Sequence, residues 1–555
     1  MRTSFIRCVF CILMPLICMS AARAADAPPP VPGNCNAPAM SPVMPRDMSP
    51  PNSQASANCF AWQQFIVLNW LASTTTCAPD STVPASRFGT PGDTSPVAWE
   101  TYKEASEVFQ KDARPPTPWC SQQQLPQRMR SALRTASATA SATATPAPSS
   151  AHGYKNLASV SKINANQALS EFGQAGTGDA WLTAQNGNIA LYEMRINQDE
   201  FNFIDQNQLY DAARQKPFAM TQGLILPNGT ATFEQYGTVG AVELKAAWVE
   251  LPDPTSWPHF KISKAWVVYP SAPTMPKLVT VGLTGLHIIH KTRNSPQIIW
   301  ATFEHINNAP STSDIQNDKF LPWYTFYNRQ CDPSTDHYQC YPNAQPPGQS
   351  PDNPRLPRAP GDPYSAPIQV VRLNPISDNS ADNVAGLNAW VWQYVIDPAS
   401  PDSVFKNYQL VDVLWANSPV MIPPGAVVPL PAGNPQPSPQ TRIVANTTME
   451  TYFQTTKNCL FCHQYAAIAK ESAPAGKQGL RKRLGVSNAD KIRDLLGAHA
   501  DMETTRVLKA SQADAAASLA SDYSFLFSDA QTAPVIAPAL KKRGMKKPKV
   551  GAPAN

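Results

Sequence analysis

Two cysteines three residues apart, with a histidine directly after them, set the strongest limit on what this chain can become: Asn458-Cys-Leu-Phe-Cys-His-Gln-Tyr465. On one helical turn, a CxxC pair holds two sulfurs where both vinyl groups of a haem can be reached. The next residue then points an imidazole at the iron. A haem held this way becomes the core of a small domain, so few apolar residues are needed around it. The competing readings are a disulfide, half of a zinc site or a redox pair. Zinc requires two more ligands, and no other cysteine comes nearer than Cys340. A redox CxxC is expected beside a strand of a βαβ unit, whereas the residues before Cys459 read as helix. The spacing therefore predicts one haem c per chain, bound through Cys459 and Cys462, with His463 as proximal iron ligand.

The second iron ligand is open at this level. Met502 lies 39 residues beyond His463 and follows an expected helix that begins near Asn488. His499, one turn earlier, and Met449, just upstream of the motif, are the alternatives. A thioether ligand raises the potential and suits electron transfer; an open position permits peroxide or oxygen chemistry.

The other cysteines depend on the compartment. Arg2 and Arg7, an apolar run from Cys8 to Cys18 and Ala22-Arg23-Ala24 read as a cleaved signal peptide over residues 1–24, too short to span a membrane. No later stretch is long and apolar enough to be a transmembrane segment, and a periplasmic or secreted location is expected. Without Cys8, Cys11 and Cys18, six cysteines remain outside the motif, an even number that suggests three disulfides. Cys331 and Cys340 bracket a short loop and are expected to pair. Cys35–Cys59 and Cys77–Cys120 are the companion pairing, one of roughly fifteen possible connectivities.

Along the chain, residues 25–57 are rich in Pro, Ser and Met. Residues 58–130 form a helical, cysteine-containing segment, with one apolar helix over 59–71 and a second over 98–111. The low-complexity run over 131–152 cannot bury a core and reads as a linker. Residues 153–430 change to a period of two. In GAVELKAAWVEL, Val242, Leu244, Ala246 and Trp248 share one face, while Glu243, Lys245, Ala247 and Val249 share the other. Strands are also expected over 260–269, 278–291, 297–305 and 368–372, and a helical or mixed stretch over 383–396. After a proline-rich connector, residues 443–531 read as a small all-α, cytochrome c-like unit, with a helix capped at Asn446 and running into Cys459. Residues 532–555 are a basic tail. The expected fold is thus α+β: a mainly antiparallel, β-rich central domain followed by the helical unit.

A second polar cluster, His287, His290, Glu304 and His305 with Glu243, contains nitrogen and oxygen ligand types. On a regular strand, however, His287 and His290 point to opposite faces, so hydrogen-bonded sheet histidines are the simpler expectation. Glu243 and Lys245 share a face and are expected to form a salt bridge. From Lys457 onward the chain has 16 Lys/Arg against 8 Asp/Glu, including Arg481-Lys482-Arg483 near the motif. In an exported chain this excess does not point to nucleic acid; it suits a redox partner protein with an acidic docking face.

FAWQQFIVLNW, VAWETYKEASEVF, GAVELKAAW, GLHIIHKT, IIWATFEHINN, NTTMETY ahead of the CxxCH, and SDYSFLF together resemble a group of exported bacterial proteins labelled cytochrome c family proteins. The resemblance runs in scattered blocks through residues 59–530. It implies haem binding and electron transfer, carried by Cys459, Cys462 and His463, and assigns no role to the β-rich part. The functional classes that remain are a single-electron carrier, a haem-dependent oxidoreductase or peroxidase using the β-rich domain for substrate, and a binding or scaffold protein with a structural haem.

Overall fold

The helix Gln54–Leu68 is apolar on every side, and such a helix has to be buried all round. All of its residues except Gln54 and Gln63 are buried, and Ser53 caps its start by accepting the Ser56 N–H at 3.1 Å. The computed structural model that shows this describes residues 28–50, 52–121, 154–157, 182–267, 277–332, 334, 340–344, 367–379, 382–416, 418–431, 435–436, 443–452, 454–455, 458–469 and 518–532. The signal segment 1–24, the linker 131–152, Arg481-Lys482-Arg483, the helix expected from Asn488, His499, Met502 and nearly all of the basic tail lie outside the described residues. Every element named below belongs to the compact unit Val31–Asn555.

A small ribbon, β1 (Ala72–Ser73) with β2 (Ala78–Pro79), precedes a nine-stranded sheet. The sheet comprises β3 (Lys103–Glu104), β4 (Tyr154–Asn156), β5 (Leu191–Ile196), β6 (Val242–Glu250), β7 (Ile262–Val267), β8 (Lys277–Thr292), β9 (Ser295–His305), β10 (Tyr408–Ala416) and β11 (Pro435–Gln436). Its main order is β11-β10-β9-β8-β6-β5-β3; β7 pairs with β8, and β4 joins β7 in the one parallel pairing. The architecture is α+β, with a mainly antiparallel sheet.

Side chains alternate between the two faces of this sheet. Val242, Leu244, Ala246 and Trp248 enter the core beneath the helix Gln54–Leu68, together with Leu286, Ile288 and Phe303. There Phe65 stacks on Phe303 at 4.4 Å and Trp62 meets it edge-on at 5.1 Å. The helix Val384–Val391 covers the same face, its Asn388 accepting from Trp62 Nε1 at 2.9 Å. On the opposite face, Ala247 and Val249 pack with Met449, while Ile289, Trp300 and Leu414 pack with Leu460, Ala467 and Tyr523. The residues that flank the CxxCH therefore lie against the sheet.

Three expectations need correction. The second helix, over 98–111, is broken into a 3-10 turn Ala98–Thr101, β3, and a short helix Ala105–Val108. The cause is tertiary: Lys103 and Glu104 pair with Ile196 and Arg195 on β5, and Arg195 Nη2 reaches Glu104 at 2.8 Å. Lys155 extends this buried ionic network, 2.6 Å from Glu193 and 3.1 Å from Glu100. Residues 368–372 are extended but form only an isolated bridge, Ser311 with Arg372. Finally, where a helix is expected to run from Asn446 into Cys459, the described residues form turns, and among them only Cys459–His463 are helical. Its polar side chains are held by the sheet instead: Asn446 Nδ2 donates to Thr302 Oγ1 at 3.0 Å, and Thr447 N–H to Glu304 at 3.0 Å. The described parts of 443–531 are short turns and bridges against the sheet, so the expected all-α unit is not seen in them.

All three expected disulfides are present: Cys35–Cys59, Cys77–Cys120 and Cys331–Cys340. The first ties the 25–57 segment to the buried helix, where Gln63 also accepts the Ala39 N–H at 2.8 Å. Covalent staples of this kind persist in oxidising compartments and are compatible with a secreted or periplasmic chain. Among the described residues no helix is long and apolar enough to cross a membrane.

Candidate functional site

The helical turn Cys459–His463 presents both cysteines three residues apart, and neither belongs to a disulfide. Burial, with Glu450 nearby, pushes the Cys459 thiol well above its ordinary range. That environment is the reverse of the electropositive setting of a redox-active thiol.

His463 is held by the backbone. Its Nδ1–H is donated to the Tyr523 carbonyl at 2.7 Å, so Nε2 carries the lone pair of the neutral ring. Burial lowers its pKa to about 4, which keeps the imidazole neutral at physiological pH. Trp300 on β9 and Phe525 flank the ring, with centroids at 4.4 and 4.9 Å. A donated Nδ1–H and a free Nε2 are what an iron-ligating histidine requires of its surroundings.

The Tyr523 carbonyl is itself aimed by an unusual backbone. Asp522 and Tyr523 have φ of +53° and +68°, a left-handed pair in which a bulky residue is rare. Three contacts hold it. Asp522 forms an ion pair with Lys291 of β8 at 2.6 Å and accepts the Leu226 N–H at 2.7 Å; the Tyr523 hydroxyl donates to the Pro431 carbonyl. Beside this turn, Glu200 and Glu243 are neighbouring buried carboxyls, and both Glu200 oxygens and Glu243 Oε1 are without a hydrogen-bond partner among the described residues. Burial lifts Glu243 to about 7 and Glu200 well above the usual carboxylate range, so the pair holds a proton at neutral pH.

The sheet supplies a second polar group. Lys245 on β6 is directly opposite His287 on β8, and His287 is opposite Thr302 on β9. His287 Nε2 meets Glu450 Oε1 at 3.1 Å, and Glu450 Oε2 accepts the Asn446 N–H at 2.7 Å. Gly285, two residues away along β8, makes room for this segment: a Cβ there would stand 2.6 Å from Thr448 Oγ1 and 3.0 Å from Met449 Cε.

The second polar cluster of the sequence is divided by the sheet. His290 lies on the helix-covered face between Gln64 at 2.8 Å and the Val239 carbonyl at 3.0 Å. His305 lies there too, bound to the His259 carbonyl and the Asn307 N–H. Burial lowers these histidines to about 4 and about 3, respectively. His287, Glu243 and Glu304 face the other way, and no group of three metal-binding side chains forms among the described residues. Glu243 and Lys245 share their face without forming a salt bridge: Glu243 turns to Glu200, and Lys245 lies towards Glu450.

Met449 is fully buried among Ala247, Val249 and Tyr192, while Met502 and His499 lie outside the described residues. Sequence reasoning missed the Tyr523 carbonyl, Trp300, Phe525 and the Lys291–Asp522 pair, because none of them stands in a motif. Their one signal is membership of the scattered blocks IIWATFEHINN, SDYSFLF and GLHIIHKT, all of which meet at this site. Comparisons with protein-family models, with curated proteins and with solved structures find no match to this chain.

Proposed function

We propose that this protein is an exported monohaem c-type cytochrome that transfers single electrons and seats its haem against a β-sheet. The observation that carries the reading is His463: its Nδ1–H is donated to Tyr523 and its Nε2 is left for a metal, on the same helical turn as two cysteines outside any disulfide. Cys459 and Cys462 would form the thioethers and His463 would ligate the iron, which supplies one-electron redox chemistry when bound. Tyr523 fixes the tautomer, and Trp300 and Phe525 shield the ring. Met502 remains the proposed sixth ligand, with His499 and Met449 behind it. Arg481-Lys482-Arg483 suits an acidic docking face on a redox partner. The test is a haem-stained denaturing gel of the protein matured with haem-attachment machinery. The stain should travel with the chain and vanish in the double variant Cys459→Ala, Cys462→Ala; stain surviving both substitutions overturns the reading.

A haem-dependent oxidoreductase is the second reading, favoured by the His287–Glu450 pair on the sheet face that carries the CxxCH segment. The ferric spectrum separates the two. A low-spin, six-coordinate iron whose methionine charge-transfer band is lost in Met502→Ala or Met449→Ala supports the carrier. A high-spin iron supports the oxidoreductase.

A further inference from the structure

Among the described residues, the lysines around this sheet have partners, with one exception. Lys155 and Lys261 bind Glu100, Lys277 binds Glu250, Lys291 binds Asp522, Lys103 lies 4.0 Å from Glu107, and Lys264 donates to Thr280 at 2.6 Å. Lys245 makes no hydrogen bond and no ion pair among the described residues; its Nζ stands 5.9 Å from the Tyr192 ring centroid. It is not in open water either: the residue is half-buried, and that burial lowers its pKa against the pull of Glu450. Glu450, the carboxylate nearest in effect, is engaged at both oxygens by His287 and Asn446. A half-buried ammonium without an anion is unfavourable, since desolvation is not offset by pairing. This cation therefore has no hydrogen bond or ion pair of its own among the described residues, and it shares a sheet face with the site: Lys245 stands opposite His287 and His287 opposite Thr302, two residues along β9 from Trp300, whose ring lies 4.4 Å from that of His463.

We propose that Lys245 is the binding residue for a carboxylate of the haem, so that β6 of the sheet would anchor the cofactor in addition to its covalent links. A haem joined to Cys459 and Cys462 brings two propionates, which are anions of the chemistry this site lacks. The inference rests on the haem reading above. It gives the large β-rich part of the chain a role: the sheet provides the charged wall that the short described helix of the CxxCH segment cannot. A free carboxylate or oxyanion substrate has the same chemistry, and the test separates the two sources.

The experiment uses full-length, haem-loaded protein with Lys245→Gln and Lys245→Arg, read by haem stain, midpoint potential and the propionate-bending band in resonance Raman spectra. In Lys245→Gln the haem should stay attached, the potential should fall because an unpaired propionate favours ferric iron, and the bending band should shift. Lys245→Arg should restore most of both. Unchanged potential and band in both variants overturn the proposal. So does a change of ferric spin state in Lys245→Gln, which would make Lys245 an iron ligand. A wild-type potential or propionate band that moves on addition of acetate or nitrite assigns the cation to an exogenous anion, which also overturns it. Should Lys245→Gln not accumulate, Lys245→Met takes its place under the same readouts: a lower potential and a shifted band are expected, and an unchanged potential and band overturn the proposal. Absence of covalent haem in the wild type would instead defeat the reading on which the proposal stands.

Discussion

The Tyr523 carbonyl accepts the Nδ1–H of His463 at 2.7 Å across 60 residues of sequence, and a left-handed backbone at Asp522 and Tyr523 points it there. Lys291 holds that turn through Asp522, with side-chain exposures of 2% and 0%. Asp522→Ala leaves a buried ammonium unpaired and should destabilise the fold by about 3–5 kcal/mol. The same change should free the Tyr523 carbonyl and shift the haem potential. Denaturant unfolding and redox titration of one preparation check both effects. A loss below about 1 kcal/mol would show that the turn stands without the pair.

The carboxyl pair Glu200–Glu243 makes stability depend on pH. Glu243 titrates at about 7 in the fold because of burial, against roughly 4.3 for a free glutamate, so the folded state binds the proton more tightly. Its contribution is complete below the unfolded value and is lost as pH rises through about 7. Glu243→Gln should therefore be more stable than wild type at pH 8, by on the order of 2 kcal/mol, and should show a flatter loss between pH 4.5 and 8. Melting curves across that range test it; parallel curves for the two proteins would refute it.

Gly285 keeps the segment 446–449 seated on β8. An added methyl meets Thr448 Oγ1 at 2.6 Å and Asn446 Oδ1 at 2.9 Å, so Gly285→Ala should cost about 1–3 kcal/mol through overpacking. It should also raise hydrogen exchange in 446–452 more than in the helix Gln54–Leu68, which lies across the other face. Uniform exchange changes would contradict this.

Non-reducing peptide mapping should recover Cys35–Cys59, Cys77–Cys120 and Cys331–Cys340, with Cys459 and Cys462 in no disulfide. Replacing Cys331 and Cys340 by alanine opens a loop with a sequence separation of 9 and should destabilise by about 2–3 kcal/mol. A Cys459–Cys462 disulfide in the protein matured with haem would disprove the assignment.

Local chemistry was legible in the sequence. The CxxCH spacing, the even set of six other cysteines, the period-two run in GAVELKAAW and the largely apolar helix near Cys59 each depend on neighbours a few residues away or on simple counting. The opposite facing of His287 and His290 followed from strand geometry alone. Tertiary pairing decided the rest. Lys103 and Glu104 left a helical pattern because Ile196 and Arg195 offered partners on β5, and Asn446 and Thr447 gave up a helix for Thr302 and Glu304. The carbonyl that orients His463, and the lysine proposed to hold a haem carboxylate, come from strands and turns as much as 218 residues away from the histidine. Local periodicity carries no information about such pairs. They exist because a folded sheet brings distant backbone and charge together, and burial then makes each unpaired group unfavourable enough to select its partner.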